Sequence, residues 1–127
     1  MELPDLTVFA ARFTIRLDRP LSGGGLKSLV GKLMSGMALE CVASGAALIG
    51  HIKCIAEVPD GSHIACSVLG NDGNAECSGE FSDGHSTVAV VQNTLLYGLP
   101  KARVKANFFK VLDREVAASG GRFEIMQ

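Results

Sequence analysis

The chain has 127 residues, 47% of them hydrophobic, with 12 basic against 13 acidic side chains and a net charge of -1. That length suits one domain with a sizeable core, and the balanced charge excludes a global electrostatic drive toward nucleic acid or a membrane surface. No apolar run reaches the roughly 20 residues of a membrane-spanning helix, because Lys32 and Glu40 interrupt the most hydrophobic region.

The N-terminal stretch MELPDLTVFAARF has acids and no basic region before its apolar residues. It does not read as an export signal, so a cytoplasmic protein is expected. In a reducing compartment Cys41, Cys54, Cys66 and Cys77 are expected to be free thiols. From Thr7 to Asp18 the residues Phe9, Ala11, Phe13, Ile15 and Leu17 alternate with more polar neighbours, which predicts a strand with one buried face. RPLSGGG interrupts it, with Ser22 or a following glycine placed to start a helix. From Leu26 to Ala47 the apolar residues Leu26, Leu29, Val30, Leu33, Met34, Met37, Cys41 and Val42 recur at the period of a helix face. Gly31, Gly36 and Gly45 lower helix propensity within that stretch, which predicts a sheet packed closely against it.

Three Asp-Gly pairs, Asp60-Gly61, Asp72-Gly73 and Asp83-Gly84, then separate β-rich segments at Leu48 to Val58, His63 to Gly70, Ala75 to Ser82 and His85 to Gln92. Asp-Gly favours tight hairpins because both residues tolerate positive φ, so a four-stranded antiparallel meander is expected. Lys101 to Ala118 carries Val104, Phe108, Val111, Leu112 and Val116 at helical steps, and Ser119-Gly120-Gly121 stops it. Arg122 to Met126 reads as a short terminal strand or a frayed end. The expected class is α+β in two layers, an antiparallel sheet in β-α-β-β-β-β-α order wrapped on a long central helix. In element order alone that outline resembles the hotdog and cystatin-like folds.

Hairpin register decides which side chains share a face. Two-residue loops at Asp72-Gly73 and Asp83-Gly84 set Val68 opposite Cys77 and Ser82 opposite His85, and a three-residue loop from Asp60 to Ser62 completes the set. One face then gathers Ile52, Cys54, Ile64, Cys66, Val68, Cys77, Phe81, Val88 and Val90 for the helix. The other lines up His63, Ser82 and His85 across three strands with Glu80 nearby, making His63, His85 and Glu80 candidate metal ligands. His51-x-x-Cys54 and His63-x-x-Cys66 do not chelate, since strand residues three apart point to opposite faces.

Gly23, Gly24 and Gly25 precede a helix, whose first amides attract anions, so they are candidate ligand-binding residues. Neither GxxxxGK[ST] nor GxGxxG is present, and no cofactor is expected. Glu40, the only acid of the long helix, is a candidate general base that an oxyanion donor at the helix start would complement. Hotdog thioesterases use an arrangement of that kind. The segment Lys101 to Lys110 is locally basic, but Asp113 and Glu115 follow it, so nucleic acid is not an expected partner. The reading is a small binding or accessory protein that acts as a homo-oligomer or with a protein partner, away from the membrane and without a catalytic centre of its own. The alternatives are a hotdog-like acyl-thioester enzyme or acyl-ligand binder using the glycines and Glu40, and a metal-binding protein.

Overall fold

The structure, a computed structural model, describes residues 5–126; the expectation about an export signal rests partly on residues 1–4, outside that range. Its elements are β1 (Leu6–Leu21), α1 (Gly23–Ala43), β2 (Leu48–Glu57), β3 (His63–Val68), β4 (Ala75–Gly79), β5 (His85–Tyr97), α2 (Lys101–Ala118) and β6 (Gly121–Met126). The six strands form one antiparallel sheet in the order β4-β3-β2-β5-β1-β6. Both helices lie on the same side of it, giving a two-layer α+β fold with the long helix packed on the sheet.

Alternation in β1 does what its sequence implies: Phe9, Phe13, Ile15 and Leu17 are buried, while Ala10, Arg12 and Arg16 are exposed. Helix α1 begins earlier than its apolar periodicity, because Ser22 caps it, its Oγ accepting from the Gly25 amide at 3.0 Å. It ends at Ala43, where Gly45 takes φ +105° and the amides of Gly45 and Ala46 donate back to the carbonyls of Val42 and Cys41 at 3.0 Å. This is a Schellman stop, which needs the left-handed region that glycine enters freely. The tight approach expected between helix and sheet lies elsewhere. A Cβ on Gly36 would stand 2.9 Å from Val111 Cγ1 of α2, whereas one on Gly31 would meet Cys77 Sγ of the sheet at an ordinary 3.7 Å. Gly36 thus lets α1 and α2 pack together. Beneath α2, the Phe108 ring lies 5.2 Å from Phe9 and 5.5 Å from Phe13.

The strand order departs from the meander expected on hotdog-like or cystatin-like lines. β5 does not pair with β4; it lies between β2 and β1. Strands β1 and β2 therefore flank β5 with α1 connecting them, and β5 and β6 flank β1 with α2 connecting them. These are two interlocked split β-α-β units, the ferredoxin-like arrangement, extended at one edge by the β3–β4 hairpin. The length of β5 explains the preference: 13 residues with Val88, Val90, Gln92, Thr94 and Leu96 buried suit a central strand, where neighbours on both sides satisfy the main chain.

Both hairpins keep the expected faces but not the expected register. Glu57 pairs with His63, Cys54 with Cys66, and Cys66 with Cys77. Each shift from the anticipated pairing is by two residues, and an even shift leaves every side chain on its own face. It nonetheless changes the cysteine chemistry: Cys77 faces Cys66 instead of Val68, and the two form a disulfide with Cα atoms 4.0 Å apart. The four free thiols expected from the sequence are therefore two, the buried Cys41 and Cys54. Simple alternation back from Cys54 and Ile52 would put Ile49 on the face opposite theirs. An irregularity at Gly50, between Ile49 and His51 of β2, turns Ile49 into the core at 1% exposure. Among the described residues no helix is long and apolar enough to cross a membrane.

Candidate functional site

Because β5 lies three strands from β4, residues 80–84 must travel on the order of 14 Å across the sheet end. Gly79, with φ +88°, turns the chain out of β4. The link then passes over the β2–β3 turn and the start of α1, and it makes a contact at nearly every step. Glu80 accepts from Lys27 Nζ at 2.9 Å. Phe81 is buried in the core. Asp83 Oδ1 accepts from the Gly23 amide at 2.6 Å, and the Gly84 amide donates to the Leu21 carbonyl at 3.0 Å.

Ser82 is the centre of a polar cluster with Asp60, Ser62 and His85. Asp60 Oδ1 accepts from the Ser62 amide at 2.9 Å and from Ser62 Oγ at 2.8 Å, while Asp60 Oδ2 accepts from Ser82 Oγ. The Ser82 amide donates to Ser62 Oγ at 3.0 Å, and His85 Nε2 lies 2.8 Å from Ser82 Oγ. The hydrogen bond from Ser82, followed by those from the Ser62 backbone and side chain, holds the Asp60 carboxyl well below the usual carboxylate range.

Serine, histidine and aspartate in mutual contact invite a comparison with a nucleophilic triad, and proton counting excludes it. The single Ser82 hydroxyl proton is given to Asp60, so Nε2 of His85 must carry a proton and donate it to Ser82 Oγ. A base that activates serine does the reverse. Asp60 also holds the serine, not the far nitrogen of the imidazole. The cluster fastens the crossing link to the β2–β3 turn.

The residues singled out in the sequence are dispersed. Glu40 is ion-paired, with Lys110 Nζ at 2.6 Å and Arg114 at 3.7 Å, and the Lys110 hydrogen bond lowers its pKa. A carboxylate held so by two cations is a poor base. It also stands about 24 Å along α1 from the glycines at the helix start. There Gly23 and Gly25 already donate to Asp83 and Ser22, so the anion at this helix N-terminus is supplied by the chain itself; Gly24 has open space around it. His85 meets Ser82, not as its partner across a hairpin, since β5 does not pair with β4, but where the crossing link enters β5, and Glu80 turns to Lys27. His63 contacts the Gly61 carbonyl through Nδ1 at 3.3 Å. With β2 between their strands and His85 four residues from the position level with His63, the two histidines are on the order of 16 Å apart. Among the described residues no group of three His, Cys, Asp or Glu side chains is arranged to hold a metal ion. Sequence reasoning missed Asp60 and Ser62, which were legible only as turn residues.

The other feature is the sheet face away from the helices. Its central row runs Ser78, Ala65, Ile55, Val91, Arg12, Met126 from one edge to the other. Ile55 is 59% exposed and Val91 44%, with Val8 of the same face at 50%. Around Ile55 and Val91 the twisted sheet forms a shallow groove of about 660 Å³, lined also by Lys53, Ala65, Ser67 and Asn93.

No family model and no curated protein matches the chain. Among solved structures it is similar to part of the Zn(II)-bound YjiA GTPase from E. coli, at 15% identity and a TM-score of 0.46, over 84% of this chain and 30% of that one. A Zn(II)-bound triple mutant of the YjiA GTPase gives 14% identity and a TM-score of 0.45 over the same shares. The chain thus spans 30% of the length of the solved chains it matches.

Proposed function

We propose that this chain is a small binding protein that works through the uncovered face of its sheet and assembles there with a second copy of itself. The observation that carries the reading is the central row of that face, where Ile55 and Val91 stand side by side, both largely exposed, over a groove of about 660 Å³. A contiguous apolar patch with a polar rim is the usual mark of an interaction surface. Charge supports self-association. In the next row Lys53 and Glu76 lie two strands apart with Ser67 between them, so a two-fold axis can set the lysine of one copy over the glutamate of the other. Closed two-fold pairs are also the commonest assembly, and face-to-face sheets pack at about 10 Å.

Light scattering coupled to size exclusion tests this across a wide concentration range. A dimer mass that Val91→Lys converts to monomer, with the circular dichroism unchanged, is the expected result. Monomer at every concentration overturns self-association and leaves a different protein as the occupant of the face. A dimer indifferent to Val91→Lys and Ile55→Lys places the contact elsewhere, on the exposed β6 edge in the first instance.

A further inference from the structure

Cys54, Cys66 and Cys77 stand directly opposite one another across β2, β3 and β4, on the side facing α1. One bond joins Cys66 to Cys77, and Cys54 is free and buried beside them. In an antiparallel sheet, close pairs without mutual hydrogen bonds alternate with wider pairs that exchange them, and a residue directs its N–H and C=O to the same neighbour. With Cα atoms 4.0 Å apart, Cys66 and Cys77 are a close pair, so Cys66 bonds its main chain to β2 and makes the wider kind of pair with Cys54. That kind has Cα atoms about 5.5 Å apart, within the span a disulfide bridges. Cys54 and Cys77, two strand spacings or roughly 10 Å apart, are beyond it. Cys66 alone is therefore within disulfide span of either neighbour with the strands where they stand.

We propose that this row is a thiol–disulfide exchange site in which Cys66 is shared, bonded at rest to Cys77 and transferred to Cys54, so that Cys77 becomes the thiol that small disulfides modify. The Cys54 thiolate attacks Cys66 Sγ; the Cys54–Cys66 bond forms as the Cys66–Cys77 bond breaks, and Cys77 leaves as the thiolate, taking up the proton that Cys54 lost. The row places Cys54 and Cys77 on opposite sides of Cys66, the order of residues that in-line displacement at its sulfur needs. No oxidant is consumed. Cys77 is partly exposed on the edge strand, unlike the buried Cys54 and Cys66. Its thiolate then attacks a low-molecular-weight disulfide RSSR, giving Cys77–S–S–R and RS⁻. Burial pushes the Cys54 thiol up to about 11, so the exchange is slow at neutral pH and quickens in alkali.

The test uses the whole protein with oxidised glutathione at pH 7 and pH 9, quenched in acid, digested with pepsin and mapped by mass spectrometry. The expected product carries glutathione on Cys77 together with a Cys54–Cys66 disulfide. Its initial rate should rise about 100-fold between the two pH values, because the thiolate fraction grows tenfold per unit below the pKa. Glutathione on Cys54 with Cys66–Cys77 intact, or no adduct at either pH, overturns the proposal. Cys54→Ser should abolish the Cys77 adduct, and its persistence is a refutation. Cys77→Ser, folded by circular dichroism, should form Cys54–Cys66 under the same oxidant; a variant that keeps both thiols refutes it too. Should one variant not fold, the wild-type map and the other variant decide.

Discussion

The connections before and after β4 are built on the same dipeptide and behave differently. In the β3–β4 hairpin, Asp72 stays local, accepting from the amide and side chain of Asn74, two residues on. In the β4–β5 link, Asp83 accepts from Gly23, 60 residues away. The first Asp-Gly reverses the chain onto its neighbour; the second ends a crossing over two strands. A turn dipeptide marks where a strand stops, and the destination of the next strand is set by contacts distant in sequence. On this view, damage to the link should be felt by the whole fold, and damage to the hairpin only locally.

The largest expected effect is at Gly23. A Cβ there would lie 2.0 Å from the Phe81 carbonyl oxygen, a backbone atom with no free rotation to relieve the clash. Gly23→Ala should destabilise the protein by about 3 kcal/mol, the upper end of ordinary overpacking. Gly24→Ala, one residue on, meets nothing within 4 Å and should gain a few tenths to about 1 kcal/mol from helix propensity and reduced chain entropy. Thermal melts of the pair give opposite signs. Equal melting temperatures would mean that the link does not press on the helix start.

A smaller effect is expected from Ser82→Ala, which removes the hydroxyl at the centre of the polar cluster. Losing a partly buried hydrogen-bonding group of this kind destabilises by about 1 kcal/mol. Asp72→Ala in the hairpin, where the bonds are exposed and local, should stay within about 0.5 kcal/mol. Urea unfolding of both variants compares them directly, and a larger loss from the hairpin variant would reverse the ranking of the two connections.

Much of this was legible in the sequence, for a physical reason. Strand faces survive any even error in register, so the buried set Ile52, Cys54, Ile64, Cys66, Val68, Val88 and Val90 follows from alternation alone. Four kinds of fact did not follow. Strand order was hidden because Asp83-Gly84 carries the same local signal as a hairpin. The Cys66–Cys77 bond depended on a register shift of two residues, which Asn71 favours by drawing the loop toward β2: its side chain accepts from the Ile49 amide at 2.8 Å and donates to the Ala47 carbonyl at 3.2 Å. Gly36 signalled close packing, but periodicity on one helix does not say whether a strand or a second helix fills the space. The site residues fared worst, since Glu40, Gly23 and Gly25 were chosen for what they could do to a ligand and are instead engaged by Lys110, Asp83 and Ser22.

The smallest effect concerns pH and separates charge from packing within the link. Because Ser82 and Ser62 depress the Asp60 carboxyl in the folded protein, this group favours the folded state most fully above its unfolded value of about 3.9. The contribution is lost as pH falls through that value toward the lower folded one. Glu40 is depressed as well, through Lys110, so acid unfolding of the wild type alone would mix the two carboxylates. The difference between wild type and Ser82→Ala cancels Glu40, which lies on another part of α1 and keeps its partners in both proteins. The gap in melting temperature should therefore be complete at about pH 5 and narrow steadily toward about pH 2. A gap of constant size across that range would show that Ser82 holds the link through neutral contacts, and that the Asp60 charge takes no part in fastening it.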